Sequence, residues 1–269
     1  MKITACCLWV FASLFSLSVC VGGGEPDLSW FHDPLLETTR PSEVVRRWEW
    51  TVDPFILKDL FALRDVSQSS KWHPEGEAYV HTLLVLDAAA QDQYQSCAER
   101  LVFLYAALCH DLGKAECGVD DGNGLYGHGP RGVPLARLLL SRLGIARNHR
   151  EQICEIVRYH MCPEKLVRKE LRLREMGDDL AADVTYRPVI HITPEGSRMS
   201  YMRGLKEAML VDYKELAHSL NHGVTVADLL RFAHFDFRGC SATGEPLVDK
   251  TFPELEHFRL RAQQAGVLK

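Results

Sequence analysis

Apolar positions recur at helical spacing along most of this chain and rarely alternate as strands require. In 98–112, Leu101, Leu104, Tyr105 and Leu108 form one stripe, predicting a helix that runs up to His110 and Asp111. Residues 78–91 predict another helix, with His81 on the face of Val85 and Ala88. The segments 131–144 (RGVPLARLLLSRLG) and 148–161 (NHREQICEIVRYHM) predict an antiparallel pair across a short Gly-containing turn. Residues 41–66 predict one or two helices, with Pro41 and Pro54 near their starts, where a missing N–H is tolerated. Helices over 224–238 and 253–265 complete an all-α reading. Only 176–200, containing DVTYRPVIHITPEG, predicts a small β-like hairpin or loop. No internal repeat or low-complexity tract interrupts the pattern.

The polar break in this pattern carries the chemistry. His110 and Asp111 end an Ala/Leu-rich helix, where each buried polar group needs a partner. A divalent transition metal supplies both partners at once; a plain C-terminus facing water, with Gly113 as cap, is the alternative. His81, His128, His160 and Asp236 decide for the metal, because they complete a ligand set that chance would rarely assemble. His81, His110, Asp111 and Asp236 suffice for one ion with open positions. Adding His128 and His160 makes room for two ions bridged by Asp111. Asp228, on nearly the same helical face as Asp236, is its rival. Lys114, just past Asp111, is placed to reach a phosphate oxygen or to offset the helix dipole. Arg131 and then Arg238 are the next candidates for substrate contact. Glu77 lies midway between His73 and His81, but Pro74 and Gly76 forbid a continuous helix there. It is read as a substrate contact or an acid behind the ligands. The ligand chemistry admits Mn, Ni, Fe, Co or Mg and calls for no cysteine.

The segments HPEGEAYVHTLLVLD, LYAALCHDLGK, GHGPRGV and DFRG resemble the HD-domain metal-dependent phosphohydrolases. They resemble most closely the HD domain appended to bacterial tRNA nucleotidyltransferases, the CCA-adding enzymes. The likeness spans about residues 72–145, resumes near His160 and returns over 224–262. It implies a helical bundle, organised as a lead-in over 24–70 and an HD domain over 71–269 with an insertion at about 168–223. It also implies a phosphoric ester hydrolase needing one or two divalent metal ions, with Asp111 and Lys114 at the reacting centre. The activities implied are phosphomonoesterase and 2′,3′-cyclic phosphodiesterase, on nucleotides or RNA ends. The same ligand order occurs in HD-type di-iron oxygenases, and a non-catalytic nucleotide-binding module is a third reading.

Composition narrows the partners. The chain has 269 residues, 46% hydrophobic, enough for a full core, and a net charge of −5 that gives no broad basic field for nucleic acid. The run PEKLVRKELRLRE reads as a solvated helix face with interleaved Glu, so a small phosphorylated substrate is expected rather than a polyanion. A nucleotidyltransferase reading fails, because Gly22-Gly23-Gly24 is followed by Glu25-Pro26-Asp27 and not by an Arg-Asp pair. Residues 1–23 form an apolar run that fits a secretory signal or membrane anchor, or a start placed too early on a cytoplasmic protein. The cysteines outside that run show no C-x-x-C spacing, which fits a reducing compartment. Cys109 and Cys154 read as buried thiols.

Overall fold

The computed structural model describes residues 29–117, 127–182, 210–247 and 251–269. The apolar run 1–23 lies outside them. Among the described residues the fold is helical with no strand, as the periodicity requires. The helices are α1 (Ser29–Glu37), α2 (Pro41–Thr51), α3 (Lys58–Phe61), α4 (Ala78–Ala90), α5 (Cys97–Cys109) and α6 (His128–Arg142). They continue with α7 (Arg147–Tyr159), α8 (Cys162–Ala182), α9 (residues 210–219), α10 (Val226–Gly239) and α11 (Pro253–Gln264). Of the segment 176–200, residues 176–182 continue α8, while DVTYRPVIHITPEG, which carries the β-like expectation, lies outside the described residues. The Leu/Arg/Glu spacing of α8 simply propagates further than the turn residues beyond it suggested. No helix among the described residues is long and apolar enough to cross a membrane.

Helix α4 is the axle. Its sequence AYVHTLLVLDAAA is apolar nearly all round, and every residue except Val80 is buried. Such a helix can only sit inside a bundle, and α5, α10 and α2 pack against it. Asp87, buried on α4, accepts from the Ser42 backbone N–H at 2.9 Å and from the Ser42 hydroxyl at 2.6 Å. Its carboxylate thereby satisfies the start of α2, where the dipole favours negative charge. Arg100 closes two helix ends together, donating to Leu36 O, Thr38 O and Ala90 O. Asp228 is consumed locally in a capping box with Thr225, which removes it as rival to Asp236.

Helix α11 is fastened to α8 through charge. Arg261 Nε lies 3.0 Å from Glu170, and His257 Nε2 lies 3.2 Å from it, with Glu170 and Arg261 buried. Burial works to raise the Glu170 carboxyl, but His257 and Arg261 outweigh it and hold the carboxyl below its ordinary 4.5. A depressed carboxyl contributes stability above its unfolded value and loses it as pH falls through the folded one. Glu170→Gln is therefore expected to destabilise the protein by about 3–5 kcal/mol at neutral pH, since it removes the charge that opposes a buried guanidinium. The gap to the parent should narrow below pH 4.5. Urea melts at several pH values check this; a gap independent of pH would rule the ion pair out as its source.

Candidate metal centre

Two helix ends present the central imidazoles in the same way. α5 stops at Cys109 and α7 at Tyr159, and the next residue in each case is a histidine, His110 and His160. His110 Nδ1 lies 2.8 Å from Ala107 O, and His160 Nδ1 lies 2.8 Å from Val157 O. A carbonyl only accepts, so Nδ1 carries the proton, and in the neutral ring the Nε2 lone pair is left facing inward. The acceptors are among the carbonyls that helix termination leaves without intrahelical partners.

Asp111 stands between two groups of donors. Its Oδ2 is 3.1 Å from His110 Nε2 and 3.9 Å from His81 Nε2, while its Oδ1 is 3.4 Å from His128 Nε2. On one side, His81, His110 and Asp236 offer donor atoms within 4.8 Å of one another; on the other, Asp111, His128 and His160 do the same. His81 Nε2 is 2.9 Å from Asp236 Oδ1, and His128 Nε2 is 3.0 Å from His160 Nε2. All these side chains are buried except Asp236, which is 16% exposed and marks the side open to solvent.

Several observations fit this cluster to a divalent cation. His110 Nε2 is buried with no hydrogen-bond partner among the described residues, and its lone pair faces a carboxylate oxygen. With the ring neutral, two electron-rich atoms at that distance repel, so the pair calls for a proton or a metal cation between or beside them. Burial works to raise Asp111, yet His110, Lys114 and His128 together hold it well below the carboxylate range. Burial, with His128 and His110 adding to it, pushes His160 down to about 3. Ionised carboxylate and neutral imidazole are the ligating forms. His81 behaves oppositely: burial works to lower it, but Asp236, Cys240 and Glu75 raise it well above its ordinary value. The site draws positive charge toward His81, as a set of converging carboxylates must.

The remaining candidates divide. Lys114 is buried, with Nζ 2.7 Å from Asp111 Oδ2 and 2.5 Å from Gln68 Oε1. Arg131 is exposed, its guanidinium 3.3 Å from Glu116 O, with no hydrogen bond or ion pair to the cluster's side chains among the described residues. Arg238 is corrected: it donates to Leu247 O, Ala88 O and Gln91 Oε1. That places it at the far end of α4 from His81, about 10 Å along the axis. Glu77 is corrected too: it is exposed, holds the N-cap position of α4, and takes no part in the cluster.

Its role falls to Glu75, which the pattern did not single out. The loop 67–77 is closed by a bridge between Ser67 and Glu77, and Gly76 adopts φ +93°. This left-handed turn swings Glu75 inward, so that Oε1 lies 2.7 Å from His81 Nδ1 and 2.9 Å from His73 Nδ1. A carboxylate behind a ligating imidazole fixes its tautomer and raises its basicity. The Pro74 and Gly76 that broke the apparent helical ladder were themselves the signal for an inward turn.

Known proteins match this region. The family model described as HD domain matches residues 78–187. The multifunctional CCA protein of Tolumonas auensis is 34% identical over 119 residues, 44% of this chain and 27% of that protein. The multifunctional CCA protein of Nitrosomonas eutropha is 34% identical over 132 residues, 49% of this chain and 30% of that protein. That of Shewanella frigidimarina is 35% identical over 96 residues, 36% of this chain and 22% of that protein. The chain thus spans between about a fifth and a third of the length of the curated relatives it matches.

Proposed function

We propose that this chain, whose residues 78–187 match the HD domain, is a divalent-metal-dependent phosphoric ester hydrolase. Its substrate is a small phosphorylated nucleotide, either a phosphomonoester or a 2′,3′-cyclic phosphodiester. The observation that carries the reading is Asp111, whose two oxygens face separate donor groups, with Lys114 alongside. His81, His110 and Asp236 would hold one ion, His128 and His160 a second, and Asp111 would serve both. Bound there, such ions supply Lewis acidity toward a phosphoryl oxygen and generate a nucleophile from water near neutral pH.

The protein side chains do the positioning. Lys114 Nζ, steered by Gln68 and Asp111, takes a non-bridging phosphate oxygen as its third partner. Its charge offsets that of the phosphate in a water-poor site. Arg131, exposed beside the turn that follows Asp111, is the candidate to meet the rest of the nucleotide. Ala107, Val157 and Glu75 hold the imidazoles in their ligating orientation. The bland net charge of −5 agrees with a small substrate rather than a long polyanion.

The test is metal analysis of the purified full chain followed by a panel of nucleoside monophosphates and 2′,3′-cyclic nucleotides. Chelation should abolish phosphate-ester turnover, and Mn, Ni, Co or Mg should restore it. Asp236→Ala should lose metal and turnover while Asp228→Ala keeps both. No turnover with any metal, or iron with substrate-dependent oxygen uptake, would overturn the hydrolytic reading.

A further inference from the structure

On the far side of the His81 ring stands another group of ligand-type side chains, two of which, His73 and Cys240, ester hydrolysis does not use. His73, Glu75, His81 and Cys240 offer donor atoms within 4.8 Å of one another. They come from three separate segments: the loop 67–77, helix α4, and the C-cap of α10. Cys240 Sγ lies 3.9 Å from His73 Nδ1, and the His73 and His81 rings meet edge to face at 4.7 Å. The Glu75 side chain is 1% exposed, and its Oε2 is buried with no hydrogen-bond partner among the described residues. A carboxylate whose only task was to brace His81 would need one oxygen; burying a second one unsatisfied costs about 1–3 kcal/mol.

We propose that this cluster is a separate zinc-class metal site, with His73, Glu75, Cys240 and His81 Nδ1 as its four ligands. Tetrahedral zinc, with bonds of about 2.0–2.3 Å, sets neighbouring donors roughly 3.3–3.5 Å apart. The contacts of 2.7, 2.9 and 3.9 Å straddle that spacing, so small side-chain shifts suffice. The sulfur distinguishes it from the Asp111 centre, whose imidazole and carboxylate donors do not select a thiophilic ion. Binding releases the Cys240 thiol proton and the His81 Nδ1 proton, and the dication replaces their charge. His81 then bridges the two centres, with Nδ1 to the zinc and Nε2 toward Asp236. The ion would also pin the loop 67–77, which carries Gln68, to the end of α10. None of this depends on which ester, if any, is hydrolysed.

The test is cobalt substitution of the full chain after chelator treatment. A thiolate-to-cobalt charge-transfer band in the near ultraviolet should grow and saturate at one equivalent. It should vanish in Cys240→Ser and weaken in His73→Ala, with one zinc fewer per chain in each. The Asp111 centre has no sulfur and cannot give this band, so the outcome is separate from any hydrolytic assay. As a check that needs no variant, one equivalent of zinc should slow alkylation of Cys240 in the parent protein roughly tenfold. A parent with no band, a band that survives Cys240→Ser, or alkylation unaffected by zinc overturns the site.

Discussion

Asp111→Asn is expected to lower metal-dependent ester turnover by about 10³-fold or more, because it removes the charge that both donor groups share. The same change has a stability cost, since Lys114 is left as a buried ammonium without the carboxylate charge it faces. Breaking a buried pair from one side costs about 3–5 kcal/mol. Loss of activity through unfolding and loss through the missing ligand can be separated. Asp111→Asn combined with Lys114→Met removes both charges, so its melting temperature should recover toward that of the parent while turnover stays lost. Circular-dichroism melts, metal content and turnover measured on the three proteins decide it. A folded double variant that still binds metal and turns over at the parental rate would sink the assignment of Asp111.

Gly113→Ala carries the next largest effect. A Cβ at Gly113 would lie 2.1 Å from His128 O and 2.5 Å from Gly132 N, both backbone atoms that cannot rotate away. The short turn Leu112–Glu116 after Asp111 and the first turn of α6 would have to part. Overpacking of this kind costs about 1–3 kcal/mol. The functional loss should exceed the structural one, because the turn follows Asp111 and α6 carries His128. A misplacement of about 1 Å at reacting groups costs roughly 10²-fold. Metal titration and thermal melts on the same sample test this. Parental metal affinity and activity in the variant would show that the close approach is not required.

The helices and the inner candidate ligands were legible for the same reason. Apolar spacing located α4, α5, α6, α7 and α10, and His81, His110, His160 and Asp236 stand out because they interrupt or end apolar faces. Tertiary contacts were harder to read. Glu77 and Glu75 are equally acidic and only two residues apart, and the choice between them rests on one left-handed glycine that reverses the chain. Arg238 sits two residues after Asp236, near it in sequence but turned toward Leu247, whose carbonyl it holds. Cys240 gave no spacing signal, because its neighbours His73 and Glu75 come from the opposite end of the domain. Local pattern reports which face a residue shares; it does not report which distant loop lands on that face.

The paired helix ends at His110 and His160 have one more consequence. Flipping either imidazole to its other tautomer would strand a helix-terminal carbonyl together with a ring nitrogen. At about 1–3 kcal/mol for a buried unsatisfied group, the wrong tautomer is held to between roughly a sixth and less than a hundredth of the population. Each ring is therefore locked by its own backbone before any ion arrives. Folding and selection of the donor atom are one event, and an incoming cation has no tautomer left to choose.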